Sequence, residues 1–561
     1  MIRHPAEALC CLILLLMAIN FLTVISRKSI TIDEATHIPA GYYHLVDGKF
    51  RFNNEHPPLI KMFAAVPLLF IQPAAPPLPE AGPAKSHREY AANAIWSFWG
   101  SNTVRFETIS FWSRVPMIVI ALALGALIFI YTRQLFGPRA AVFAVALFSL
   151  EPAVLAHGRV VQTDVPVALA YLFFFFALHA YASVPTMNRA IGLGLASGLA
   201  LVTKFSMIVI APILVSAFAL VWIASPRRGQ RRTQLASQAI VAALAALLII
   251  NAAYYFHSRQ LEAAEVEFIS VNTPSHFNEV MFSLRAFSKV VPTDFLYGIY
   301  KVLVLNRKGH PASLLGMYSE HGWWYYFPVA FALKTTLPFL LLCGAALVWA
   351  GWRLFVNREK YFFALIIPLG IYTALSMTTN INVGIRHFLP AFPFLFILGG
   401  AFLDYLLRLQ RARRMAIAVV ALSLCWMCAE TVRAYPHYMS YMNQLAWQHP
   451  RWHYLSDSNI EWGDDVRALA EYLRARDETK VRARLLGGRG ILDQYGVEYV
   501  DLLPSSPDVP LPETRYVAIG ASFLSGTFVP FEGARNFFAE YRQRTPEAVF
   551  GNSIYLYRVR E

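Results

Sequence analysis

The sequence predicts a polytopic α-helical membrane protein with a small α/β domain at its C-terminal end. Three observations predict it. The 561 residues are 57% hydrophobic and 14% aromatic, with only 15% charged, a balance that excludes an ordinary soluble or disordered chain. The apolar residues gather in about eleven runs near the roughly 20 residues that cross a bilayer as helix. The net charge of +14 concentrates in short loops between those runs, at Arg133–Arg139, Arg227–Arg232, Arg353–Lys360 and Arg408–Arg414. That is the pattern of cytoplasmic loops. It also excludes a nucleic-acid partner, whose basic groove would require clustering within a folded domain.

The expected spans are 8–26, 114–132, 140–157, 165–183, 190–203, 205–224, 236–256, 324–351, 360–378, 387–407 and 414–430. The segment Ala190–Ala224 is too long for one span and carries Thr203-Lys204 near its middle. Read as two short helices, it leaves all four basic loops on one side; read as one, it splits them across the bilayer. The two-helix reading sets Lys204 at the outer face, the N-terminus in the cytoplasm and the C-terminus outside. The first run follows Arg3 without a small-residue cleavage site and reads as a retained anchor. All five cysteines fall within expected spans, so Cys425-x-x-Cys428 lacks the setting of a redox motif. The chain has no N-x-S/T acceptor site and no retention tail, which points to a bacterial inner membrane.

This topology gives a transmembrane domain over 1–430, with external loops at 27–113 and 257–323, and a periplasmic domain over 431–561. The proline-rich stretch Gln72–Ala84 cannot be a continuous helix. The second loop ends in His321-Gly322-Trp323-Trp324-Tyr325-Tyr326, aromatics suited to the lipid–water boundary. The C-terminal domain offers strand-like runs at Val481–Leu486, Val497–Leu503, Arg515–Gly520 and Ser553–Val559. Helix-like segments at Asp464–Arg476 and Ala534–Arg542 lie between them, an α/β alternation.

Carboxylates and histidines gather on the outer side. Asp33 and Glu34 lie just beyond the first span, where a partly shielded carboxylate serves as general base or simply ends a helix. Glu55 and His56 precede Pro57-Pro58, so their backbone is extended and stiff. Asp164 opens the fourth span, where Thr163 or Asp164 caps the helix and Pro166 occupies its first turn. A second outer carboxylate there also suits orienting an acceptor or binding a metal. Lys204, Lys334, Arg386 and His387 flank or enter spans on the same side. Lys334, two turns inside the eighth expected span, must snorkel or meet an anion such as a lipid phosphate. Together these groups suit one reaction. Cations hold the phosphate of a polyprenyl-phosphate-linked sugar, and a carboxylate deprotonates the hydroxyl that displaces it with inversion.

Asp33-Glu34-Ala35-Thr36 and Glu55-His56-Pro57-Pro58-Leu59 resemble the first external loop of GT-C glycosyltransferases, in particular protein O-mannosyltransferases and lipid A aminoarabinose transferases. Thr163-Asp164-Val165-Pro166 resembles their second acidic motif. Gly309-His310-Pro311, the run from Gly322 to Pro328 with Lys334-Thr335, the run from Asn382 to His387 and the run from Ser456 to Asp465 are similar to bacterial family-39 relatives. The resemblance implies a GT-C fold, with Asp33 as base, Glu34 beside it and Asp164 as a second active-site carboxylate. Its motifs contain Lys334, Arg386 and His387 as donor-binding residues; Lys204 joins them by its outer-face position, and His56 stands where a phosphate-binding lysine would. Where the aminoarabinose transferases carry lysine this chain has His56, which argues against the aminoarabinose substrate. The family also suggests a possible divalent metal at Glu55 with His310 or His321. The partners implied are a polyprenyl-phosphate-sugar donor, an acceptor protein, lipid or glycan, and membrane lipids. A lipid-linked sugar transporter would place its ionisable groups nearer the midplane and show repeated helices. A non-catalytic envelope subunit would tolerate loss of Asp33 and Asp164.

Overall fold

The computed structural model describes residues 4–48, 50, 53–77, 95–224, 229–503, 513–528 and 537–559. Among these, nine helices are long and apolar enough to cross a membrane: Pro5–Ile25, Phe106–Phe136, Asp164–Ser183, Phe205–Ile223, Arg232–Ala253, Leu337–Phe355, Lys360–Thr378, Ile385–Arg408 and Gln410–Ala434. One shorter apolar helix, Pro138–Leu150, and the helix Met187–Leu201 fall at the two remaining expected spans. The protein is an integral membrane protein. The long segment at 190–224 does break in two: a helix ends at Leu201, and a 3-10 turn, Phe205–Val209, leads into Ile210–Ala224.

Two expected spans are interrupted. The run 140–157 breaks at Glu151, extended at φ −85° and ψ 117° because Pro152 follows it. The run 324–351 is two helices, Tyr326–Lys334 and Leu337–Phe355, separated by extended Thr335 and Thr336 ahead of Pro338. Lys334 therefore does not lie two turns inside a span; it ends a short helix before the span begins. Of the other expectations, 78–84 of the proline-rich stretch, 225–228 of the second basic loop and 529–536, including the start of the last helix, lie outside the described residues.

The chain forms two compact units. The first comprises Met1–Ala35, Arg105–Val160 and Lys308–Glu561. Besides its spans it holds a hairpin, β1 (Ala312–Leu314) with β2 (Met317–Ser319), and a five-stranded sheet. The sheet contains β3 (Lys480–Arg484), β4 (Glu498–Asp501), β5 (Tyr516–Gly520), β6 (Ala548–Phe550) and β7 (Ile554–Arg558), in the order β4-β3-β5-β7-β6. β3 runs parallel to β4 and β5, while β7 is antiparallel to β5 and β6. Four strands fall where alternation placed them; β6 is additional. The helix Val466–Arg474 buries Val466, Leu469, Ala470 and Leu473, the spacing of one apolar face.

The second unit comprises Thr36–Val104 and Val161–Arg307. Its helices Met187–Leu201 and Gly229–Ala253 meet through small residues, with Gly194 against the Ala242 backbone, where any Cβ would collide. Close backbone approach of this kind substitutes for hydrophobic drive inside lipid. The helices Ala263–Asn272, Phe277–Phe287 and Thr293–Lys308 follow, the first and third tied together by Arg259, which bonds both Glu265 and Asp294.

Candidate active site

In the first unit, Asp33 occupies the first turn of the helix Ile32–Asp47, which starts shortly after the first span. The neighbouring backbone is held on both sides. Ile32 N donates to Trp462 O at 2.9 Å and Ser29 N to Asp464 O at 3.0 Å. Arg114 donates to the Lys28 and Ser29 carbonyls at 3.0 and 2.6 Å. Glu34 closes the brace, its two oxygens each 2.7 Å from Nε and Nη2 of Arg114. Both side chains are fully buried, and Glu34 also accepts the Thr31 N–H at 2.8 Å. Glu34 is thus a structural partner of Arg114, not a reacting group. Its carboxylate is spent inside the fold.

Asp33 points elsewhere. Its Oδ2 accepts from Arg386 Nη1 at 2.7 Å, with the aspartate side chain 28% and the arginine 12% exposed. The Arg386 guanidinium also stacks 4.2 Å over the Trp462 ring, a placement that fixes the cation. Arg386 sits in the 3-10 turn Ile385–Ala391, reached from Gly384 at φ +151°. A Cβ on Gly384 would meet Ser458 Oγ at 2.6 Å, so only glycine allows this approach. His387 follows, and its carbonyl accepts from the Tyr372 hydroxyl.

The run from Ser456 to Asp465 supplies the rest of this site. Asn459 Oδ1 accepts from Ile385 N at 3.0 Å, its Nδ2 donates to the Tyr326 hydroxyl at 2.8 Å, and Ser458 Oγ donates to Val383 O at 2.6 Å. Asp457 is buried at φ 56°, with Ser458 N donating to its Oδ1. Burial pushes its carboxyl up from the ordinary range, against the opposing pull of Arg386 and His310. Glu461 accepts the Leu486 and Ser522 N–H groups, and burial lifts it to about 7. Lys28 bonds Asp465, and buried Arg159 reaches Asp464 at 3.3 Å.

Lys334 lies buried with both measured contacts on backbone, Met439 O and Asn459 O at 2.6 Å each. Through these two bonds it clamps the 459 loop. His310 bonds Pro311 O and packs edge-on against Phe528, while His321 is exposed.

In the second unit, Asp164 opens its span with Lys204 Nζ 2.5 Å from Oδ1. Thr163 makes no side-chain cap, and Asp164 N is met instead by Gln162 Oε1. The loop before Pro57 is fastened by Lys61, which donates to Asn53 O and to His56 O at 3.0 Å. Burial pushes the Lys61 ammonium down to about 7. His56 packs edge-on against His37 at 5.6 Å. Burial, with the Lys204 charge next, holds its imidazole well below the usual value. His56 is therefore a neutral group near pH 7. Glu55 is exposed and lies 3.4 Å from Lys301. Among the described residues, no three histidine, cysteine, aspartate or glutamate side chains gather as a metal site.

Sequence reasoning thus identified Asp33, Arg386, Asp164 and Lys204, and the structure joins them as two ion pairs, one in each unit. It missed Arg114, Trp462 and Lys61. A lysine in the otherwise apolar helix Pro58–Ala65 was the available signal for Lys61.

A family model described as dolichyl-phosphate-mannose-protein mannosyltransferase matches residues 94–255. The crystal structure of ArnT from Cupriavidus metallidurans in the apo state is similar at 12% identity, covering 99% of this chain and 98% of that one, with a TM-score of 0.50. The same protein bound to undecaprenyl phosphate matches at 13% identity over 98% and 97% of the two chains, with a TM-score of 0.49. The Archaeoglobus fulgidus oligosaccharyltransferase complexed with Zn and sulfate matches at 12% over 91% of this chain and 68% of that one, with a TM-score of 0.45. No curated protein matches the chain. The likeness to apo ArnT shows a shared fold, the GT-C architecture that the motifs led us to expect.

Proposed function

We infer that this protein is an inverting glycosyltransferase that moves a sugar from a polyprenyl-phosphate-linked donor to an acceptor hydroxyl at the external membrane face. The observation that carries the reading is the Asp33–Arg386–Trp462 arrangement, a carboxylate bonded on one oxygen by a stacked guanidinium. Asp33 takes the proton of the acceptor hydroxyl as its oxygen bonds to the anomeric carbon. The bond from that carbon to the phosphate oxygen breaks, and polyprenyl phosphate leaves with the electron pair. Arg386 stands beside the base to meet the negative charge that develops on that phosphate. Asp164 and Lys204 form the second acid–cation pair, Asp164 assigned to the reaction by its motif and Lys204 by its bond to Asp164. The match to the mannosyltransferase family model and the undecaprenyl phosphate held by ArnT support a lipid-phosphate donor.

The displacement itself asks only for a base and a counter-charge at the leaving phosphate. The basic loops support a bacterial inner-membrane location with the site facing the periplasm, and the sheet-bearing segment 431–561 is the proposed periplasmic domain. The test is sugar transfer from a synthetic polyprenyl-phosphate sugar in proteoliposomes. Wild type transfers, and Asp33→Asn loses transfer while still folding. Equal rates from both proteins would remove Asp33 as the base.

A further inference from the structure

A cleft of about 290 Å³ opens between the end of the first span and the start of the second, well apart in sequence from Arg386. Ser26, Arg105, Glu107 and Trp112 line it, with Arg467 and Tyr495 brought in from the C-terminal region. Its depth is set by the spans, because Pro5–Ile25 ends and Phe106–Phe136 begins at its wall. It therefore sits at the boundary between acyl chains and water. Trp112, 45% exposed, has the place of an interfacial aromatic.

The charges available in the cleft are of both signs. Lys28 also lines it, but its ammonium is taken by Asp465 and Asp464. Arg105 is 81% exposed and only loosely paired with Glu107, at 3.8 Å. Arg467 anchors itself to Ser26 O at 2.9 Å and to Glu471, turning its guanidinium to the same wall. Two guanidiniums and one carboxylate thus share one interfacial recess. A purely anionic ligand would face Glu107, and a purely cationic one would face both arginines.

We propose that this cleft binds the headgroup of a zwitterionic phospholipid carrying a primary ammonium, its phosphate on Arg105 and Arg467 and its ammonium on Glu107. A primary ammonium donates hydrogen bonds to the carboxylate, whereas a quaternary one has none to give. The site is independent of the transfer reaction and holds whether or not the assigned donor is correct.

Native mass spectrometry of the full-length protein in detergent tests it, with phosphatidylethanolamine, phosphatidylglycerol and phosphatidylcholine offered at equal concentration. Phosphatidylethanolamine is expected to be retained about ten-fold over the others, the weight of one charge-assisted contact. Glu107→Gln abolishes that preference, and Arg105→Gln weakens all three lipids. Both side chains lie at the surface, and an unchanged unfolding temperature confirms that each variant folds. Preferred retention of phosphatidylglycerol, equal retention by wild type and Glu107→Gln, or displacement of phosphatidylethanolamine by polyprenyl phosphate would each overturn the assignment.

Discussion

Glu34 and Arg114, eighty positions apart, meet as a bidentate pair with 2.7 Å contacts and no solvent access. The adjacent Asp33 thereby acquires a fixed backbone and an open side chain. Removing one partner of such a pair leaves the other buried and uncompensated, at a cost of about 3–5 kcal/mol. Arg114→Met is therefore expected to lower the unfolding temperature sharply in detergent. Asp33→Asn, at a partly exposed position, should leave it nearly unchanged. If Arg114→Met unfolds like wild type, the brace is not holding the helix start.

Arg386→Lys keeps the charge but loses the planar stack on Trp462 and the forked geometry. Transfer efficiency, kcat/KM, should fall about 10- to 100-fold, as for loss of one preorganised donor, with little change in unfolding temperature. A variant as active as wild type would reduce Arg386 to a mere counter-charge.

Asp164 and Lys204 should be energetically coupled. In a double-mutant cycle of Asp164→Asn and Lys204→Met, the unfolding free energies should be non-additive by about 1–3 kcal/mol. Additive effects would mean that the pair is only adjacent.

Lys61 gives a pH signature. Its folded value of about 7 lies below the ordinary 10.5 of an ammonium, so between them the unfolded chain binds the extra proton. Stability must then rise with pH across that window and be flat with respect to this group below it. Thermal unfolding from pH 6 to 9 should show the rise in wild type and its loss in Lys61→Met. The same slope in both proteins would assign the rise to other groups.

Much of the fold was legible because bilayer crossing imposes length and loop charge on the sequence directly. The break inside 190–224 followed from the parity of four basic loops. The breaks at Glu151 and Thr335-Thr336 were missed because averaged apolarity continues across them, although Pro152 and Pro338 marked both. For the site, adjacent carboxylates look alike in sequence. Which one is drawn into the fold depends on Arg114, a residue far along the chain within the second span. Lys334 stood out as a charge needing compensation, but the two carbonyls that meet it, at Met439 and Asn459, are more than a hundred positions away. The neutral state of His56 likewise depends on burial and on the proximity of Lys204, neither of which is local.

The loop 456–465 underpins Arg386 with an indole and ties back to the 383–385 turn and to Tyr326. A protein trimmed to its lipid-embedded helices would keep its hydrophobic scaffold yet lose the platform beneath its key guanidinium. The 456–465 loop is therefore part of the arrangement that holds Arg386, and attempts to minimise or graft this scaffold must carry it along.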